Sequence, residues 1–134
     1  MADEEEAVSI SSDVDIVTAR QKGRTVAGQL GFSSTDLTLI ATAISELARN
    51  IVLYARRGEI RMAIVKDGNR LGVQVVATDT GPGIPDIERA MQGGYSTSGS
   101  LGLGLPGVRR LMDEMEIQSE PGKGTTIRAR KWKR

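Results

Sequence analysis

Residues 79–84 read DTGPGI, residues 99–107 read GSLGLGLPG and residues 45–55 read SELARNIVLYA, and these three stretches hold the groups able to do chemistry. In the first, Asp79 ends a run of β-formers, VQVVATD, and Gly81 and Gly83 let the chain turn sharply beneath a flat ligand. An ionised carboxylate only accepts hydrogen bonds, so Asp79 suits the exocyclic amine of adenine and repels the carbonyl oxygen of guanine. A plain turn has the same pattern. The second stretch opens a helix through glycines, with Pro106 in the first turn. Such a turn aims free backbone N–H groups and the positive end of the helix dipole at one spot, a site for phosphate. A helix merely entered through a flexible loop would carry the same glycines. In the third stretch Glu46 and Asn50 are neighbours on one helical face, off the apolar stripe centred on Ile44 and Ile51. They fit two arrangements. One is a solvated glutamate beside asparagine, paired with Arg49. The other is a carboxylate that orients and deprotonates an attacking hydroxyl or water, next to an amide oxygen that ligates Mg²⁺ carried by phosphates.

Several chemistries are excluded. Gly102, Gly104 and Gly107 spell G-x-G-x-x-G, but a Ser/Gly/Thr loop precedes them where a dinucleotide site needs a strand, and residues 122–128, GKGTTIR, lack the acidic residue that would hold the ribose. No G-x-x-x-x-G-K-[ST] occurs. Cysteine and histidine are both absent, which removes disulfides, thiol nucleophiles, zinc sites and any imidazole base or phosphate acceptor. Acid–base work falls to a carboxylate.

The elements that must position these groups follow from periodicity. Residues 7–10 read as a first strand, and residues 13–30 as a helix stopped by Gly31. After Ser33 or Ser34 as N-cap, Leu37, Ile40, Ala41, Ile44, Leu47, Ala48 and Ile51 hold helical spacing for four turns. Residues 59–65 and 71–79, joined through Asp67-Gly68-Asn69, predict an antiparallel hairpin. A short helix is expected from Asp86, a loop over residues 93–100, and a helix from Gly104–Pro106 through VRRLMDE. Two last strands, MEIQSE and TTIRARKW, are joined by Pro121-Gly122-Lys123-Gly124. The expectation is one domain over residues 1–134, an α+β two-layer sandwich with a mixed, mostly antiparallel sheet and helices on one face.

The 134 residues suffice for a core that buries roughly 65–70% of the unfolded chain's surface. Ten of the 16 glycines fall between Gly81 and Gly124, the region of both glycine turns. The net charge of +1 hides an acidic head, Asp3 to Glu6, and a basic tail, RARKWKR. Only Trp132 lies near that tail to stack on bases, so nucleic acid is not the expected partner. The start MADEEEA lacks signal-peptide features and no run of about 18 apolar residues stands out, so a cytoplasmic location without membrane contact is expected. Arg20, Lys22 and Arg24 offer either a docking face or a solvated one.

In order, E-x-x-x-N on a helix, D-x-G-x-G after a strand and G-x-G opening a later helix resemble the ATP-binding fold shared by gyrase, the Hsp90 chaperone, histidine kinases and a mismatch-repair ATPase, the GHKL or Bergerat superfamily. The match covers residues ~33–130. Without a phosphate-accepting histidine or the length for a transducer domain, the chain is most similar to the stand-alone anti-sigma-factor class of serine kinases. The segments DIVTARQKGR, AISELARNIVLYA, GPGIPDIERAMQGGYSTSGSLGLGLPGVRRLMDE and the ending KW resemble the switch kinases of the stressosome within that class.

The resemblance implies Glu46 as general base, Asn50 as Mg²⁺ ligand, Asp79 as adenine reader with Gly81, Gly83 and Ile84 beside it, and Thr125 or Thr126 near the base. It also implies Ser98, Gly99, Leu101, Gly102, Leu103 and Gly104 around the phosphates, with GGYSTSGS as the ATP lid. ATP and Mg²⁺ are the implied cofactors. The implied substrates are serine or threonine hydroxyls on STAS-domain scaffold proteins, and the released kinase is expected to activate a partner phosphatase. A non-catalytic module that docks a partner or sequesters a sigma factor according to its nucleotide is the alternative. The chain departs from the pattern in Ile51 after Asn50 and in Tyr54, where several anti-sigma kinases carry histidine.

Overall fold

The computed structural model describes residues 5–83 and 104–133. Strand β1 (Glu5–Ile10) leads into helix α1 (Asp13–Gly28), whose first turn is fastened by the Asp15 carboxylate accepting from the N–H groups of Ser11, at 2.9 Å, and Ser12, at 3.2 Å. Helix α2 (Ser34–Asn50) starts where expected. Ser33 is extended at its N-cap, and the hydroxyl accepts from Asp36 N–H at 3.1 Å. The helical path then widens into a π-turn, Ile51–Ala55. Strands β2 (Gly58–Asp67) and β3 (Arg70–Asp79) form the hairpin, helix α3 runs Gly104–Leu111, and β4 (Glu114–Glu120) and β5 (Gly124–Trp132) complete the chain.

The five strands are ordered β1-β2-β3-β5-β4 and every ladder is antiparallel, so the sheet has no parallel pair among the described residues. Alternation sends Val8, Ile10, Ile60, Met62, Val73, Val75, Ala77, Ile127 and Ala129 to one face, where they are buried. The helices supply Ile16, Ala19, Ile40, Ile44, Leu47 and Val108 to the same core. Fully burying one such aliphatic side chain contributes about 1.5–3 kcal/mol. The predicted layer order therefore stands.

The opposite face carries no described helix in its packing and is polar. Arg61 bridges Glu5 and Glu59, and Arg130 bridges Gln74 and Glu114. Trp132 is buried, with the Arg70 guanidinium 4.1 Å from its ring centroid and its indole N–H donating to Glu114 at 3.0 Å. Its ring is committed to the sheet and not free to stack on a base.

One expectation needs adjustment. The helix read through VRRLMDE stops at Leu111. Asp113 instead donates its N–H to the Arg130 carbonyl at 2.8 Å and accepts from Trp132 N–H at 2.8 Å, so pairing with β5 overrides helical propensity. The helical stretch Ser34–Ala55, which holds an 18-residue window of mean hydropathy 1.3, is long and apolar enough to cross a membrane by length and composition, yet half of that window is buried inside this fold as part of the central core helix. The helix expected from Asp86 and the loop 93–100 lie outside the described residues.

The Trp132 indole N–H, and after it the Arg130 guanidinium, hold the Glu114 carboxyl below its ordinary pKa. A carboxyl depressed in the folded state stabilises above its unfolded pKa, and the contribution disappears as pH falls through the folded value. Wild type should therefore exceed Glu114→Gln in urea midpoint at pH 7, and the gap should close on acidification below the usual carboxylate range. Midpoints measured across that range check this, and a gap that widened in acid would contradict it.

Candidate functional site

The sheet register assembles the site. Ile10 pairs with Gly58, Gly58 with Asp79, Asp79 with Thr125 and Thr125 with Ser119, giving one row across all five strands on the helix side. Two residues deeper the equivalent row is Val8, Ile60, Ala77, Ile127 and Ile117, which is wholly apolar. The polar row thus marks where the core ends.

Its second position, Gly58, has no side chain, and Ile51 Cγ2 lies 3.0 Å from where a β-carbon would stand. Ala55, at the end of the π-turn, packs on Gly81, whose β-carbon would lie 2.6 Å from that of Ala55. The C-terminal end of α2 is thereby pressed against the Asp79 turn. Sequence periodicity did not reveal the π-turn, a feature frequent at functional sites. It ends at Arg56, whose φ of 73° is unusual for a residue with a side chain.

Asp79 is half-buried, and its Oδ1 accepts from Gly81 N–H at 2.9 Å. Its Oδ2 has no partner among the described residues. The β4–β5 turn supports this loop, with Gly122 N–H donating to the Pro82 carbonyl at 2.8 Å. Gly83 (φ 82°) backs onto the Glu120 carbonyl, and Gly124 (φ 100°) lies so close to the Asp79 carbonyl that any β-carbon there would collide with it. Thr125 is buried beside Asp79. Thr126 is not: it pairs with Thr78 and projects from the opposite sheet face, so of the two threonines only Thr125 shares the side of Asp79.

Glu46 is 5% exposed, so the solvated arrangement is overturned, although the pairing with Arg49 is present at 2.8 Å from Nη1 to Oε2. The reason is that α2 packs between α1 and α3 as well as on the sheet, so Ala43, Ser45 and Glu46 are buried in addition to the stripe. Asn50, one turn on, is half-buried, and its side chain makes no hydrogen bond to another described residue. Its amide oxygen is a hard donor suited to Mg²⁺. No group of three or more acidic side chains forms a metal cage among the described residues. The donor set therefore fits an ion that arrives with phosphates and takes one protein ligand.

Gly104 opens α3 with φ 47° and Pro106 lies in its first turn, as the phosphate-turn reading requires. The far end is pinned by the Lys131 ammonium, which donates to the Leu111 carbonyl at 2.8 Å. Ile84, Ser98, Gly99, Leu101, Gly102 and Leu103 lie outside the described residues. Ser119 was missed by the sequence reading. Its hydroxyl lies 2.9 Å from that of Thr125, and the only signal was its register opposite Thr125.

Comparison with known proteins agrees with this geometry. Residues 10–131 match the family of histidine kinase-like ATPase domains, and the chain belongs to that GHKL-type family. Its relatives include the serine/threonine-protein kinase RsbT of Bacillus subtilis, 54% identical over 131 residues, 98% of each chain. The anti-sigma F factor of Thermoanaerobacter sp. strain X514 is 35% identical over 112 residues, covering 79% of this chain and 77% of the relative. A crystal structure of the RsbU and RsbW domains of a Mycobacterium tuberculosis protein superposes with a TM-score of 0.61 at 21% identity, over 97% of this chain and 32% of that longer one, a likeness of fold. The chain is an enzyme of the protein serine/threonine kinase class.

Replacing Gly124 with alanine adds a β-carbon that collides with Asp79 and forces an L-residue into positive φ. Gly124→Ala should destabilise the fold by more than about 1 kcal/mol. Thermal unfolding beside Gly122→Ala, where the added atom meets nothing within 4 Å, isolates the collision from the backbone strain. Equal losses in the two variants would refute the close approach.

Proposed function

We propose that this chain transfers the γ-phosphoryl group of Mg-ATP to serine or threonine hydroxyls on STAS-domain scaffold proteins of a stressosome. On this reading it acts in the cytoplasm and, once released, activates a partner phosphatase. The observation that carries the catalytic part is the buried Glu46, held by Arg49 one turn before an uncommitted Asn50. Phosphoryl transfer needs positioning and charge neutralisation more than covalent chemistry. When bound, Mg-ATP supplies the phosphoryl group and the ion that neutralises its charge.

The chain's own residues do the rest. Asp79 Oδ2 accepts from the exocyclic amine of the base, while Gly81 N–H fixes the other oxygen. Asn50 offers its amide oxygen to the metal. Glu46 takes the proton from the attacking hydroxyl, with Arg49 setting the direction of the carboxylate. Ile84, Ser98, Gly99, Leu101, Gly102, Leu103 and Gly104 complete the nucleotide site in this proposal, as the family pattern supports. Arg20 and Arg24, exposed on α1 without an ion pair among the described residues, are available to a docking partner.

A second reading, a nucleotide-gated module that sequesters a sigma factor, is favoured by the 35% identical anti-sigma F factor. Partner affinity with ATP, ADP and no nucleotide separates the two, because a pure switch must bind its partner differently between states.

Glu46→Gln should lower phosphotransfer by about 10²–10⁴-fold while ATP affinity stays nearly unchanged, measured with labelled γ-phosphate and a purified STAS-domain scaffold. Unaltered turnover would remove Glu46 from the role of base. Asp79→Asn should instead weaken ATP binding by about 1–3 kcal/mol. Calorimetric titration checks it, and an undiminished affinity would contradict the adenine contact.

A further inference from the structure

Along β5 the side chains facing the helices are Thr125, Ile127, Ala129 and Lys131, so a cation holds the last of these core positions. Lys131 is 9% exposed, and burying an ammonium is costly unless its hydrogens are used. The structure shows the use: Nζ donates to the Leu111 carbonyl at 2.8 Å, at the C-terminal end of α3. The residues on either side grip the same place. The Arg130 carbonyl accepts from Asp113 N–H at 2.8 Å, and Trp132 N–H donates to the Asp113 carboxylate at 2.8 Å. Three consecutive residues of β5 thus clamp residues 111–113, and of these three contacts only that of Lys131 reaches the helix itself. Leu105 and Val108 bury the helix against the core, but apolar burial is non-directional, whereas a hydrogen bond fixes a direction.

We infer that Lys131 is a positioning residue for the phosphates of the nucleotide. By holding the Leu111 carbonyl it sets the axis of α3, and with it where the Gly104 turn points. This rests on the ATP site proposed above and deepens it. Eight residues of helix span about 12 Å, so a tilt of roughly 10° about the Leu111 end carries Gly104 about 2 Å. That is several times the ~0.5 Å over which N–H···O distances vary. Thr125, six residues back on the same strand, is about 20 Å from Lys131 at the rise of a strand. The Asp79 row is therefore independent of the Lys131 side chain, and the two parts of one ligand should respond differently to its loss.

The variants are Lys131→Met, which removes the ammonium and keeps an unbranched stem in the core, and Lys131→Arg, which keeps a donor at the same register. The probes are Mg-ATP, titrated calorimetrically, and adenosine, which carries the base without phosphate, measured by competition against fluorescent ATP. Lys131→Met should weaken ATP about tenfold, the size of one hydrogen bond, and leave adenosine at its wild-type affinity. Lys131→Arg should restore most of the ATP affinity. A merely structural role would weaken both ligands alike and leave their ratio unmoved, and that outcome overturns the inference even if Lys131→Met is less stable. Unchanged affinity for both ligands overturns it too. Wild type that binds no ATP would be a different failure, removing the ATP site and this inference together. Wild-type ATP binding that Asp79→Asn weakens, with an unmoved ratio in Lys131→Met, removes this inference alone.

Discussion

The structure depends on the transition, at one end of the sheet, from an apolar row to a polar one. Ala77, Ile127 and Ile117 fill the core, and two residues further the same strands present Asp79, Thr125 and Ser119 in their place. A carboxylate at the edge of a core is costly unless its oxygens are satisfied, because removal from water disfavours the charge. The DTGPG turn meets part of that cost locally: Gly81 N–H takes one oxygen, and the other has no partner among the described residues. The glycines at 58, 81, 83 and 124 follow from the same constraint, since in each place a neighbouring chain stands where a β-carbon would be. Side-chain-free backbone is what lets two turns and the end of α2 converge on one carboxylate.

Glu46 presents the same problem on the helix side. It is as secluded as the aliphatic residues around it, and Arg49, itself partly exposed, provides the compensating charge from the solvent side. The pair is thus half in and half out of the core. Removing one partner of such a pair costs more than the pair contributes, because the remaining charge stays desolvated. This arrangement restrains the carboxylate, which suits the role of base proposed for it. Exposed ion pairs such as Arg70 with Asp67, which solvent screens, typically contribute only about 0–1 kcal/mol by contrast.

Much of this was legible in the sequence where a single element decided the outcome. The four-turn stripe from Leu37 to Ile51, Ser33 as N-cap and the hairpin around Gly68 follow from local periodicity and turn chemistry, and each appears as read. What escaped depends on contacts between distant segments. Helix α3 was read too long because Asp113 prefers partners on β5, and no local pattern announces that. Whether Glu46 is solvated or enclosed stayed open in the sequence because its burial comes from a third helix packing on α2. Thr125 and Thr126 were inseparable without a register, since only pairing with Asp79 or Thr78 says which face each takes. Ser119 carried no motif at all.

The two halves of the proposed site are consequently held in different ways. The half proposed to read the base is a sheet row fixed by continuous ladders and by the bond from Gly122 to Pro82. The half proposed to hold phosphates begins at Gly104 on a helix of eight residues, about 12 Å long, whose hydrogen-bonded anchors among the described residues lie at its other end. There the buried Lys131 ammonium meets the Leu111 carbonyl, a cation at the negative end of the helix dipole, which stabilises both partners. Because Lys131 and Thr125 belong to the same strand, β5 connects the anchor of α3 to the polar row. A displacement of β5 relative to β3 would therefore alter both halves at once, whereas a change at Gly104 alone leaves the Asp79 row intact. Under the proposed function, base selection and phosphate positioning would be separable at the helix start and coupled through the strand.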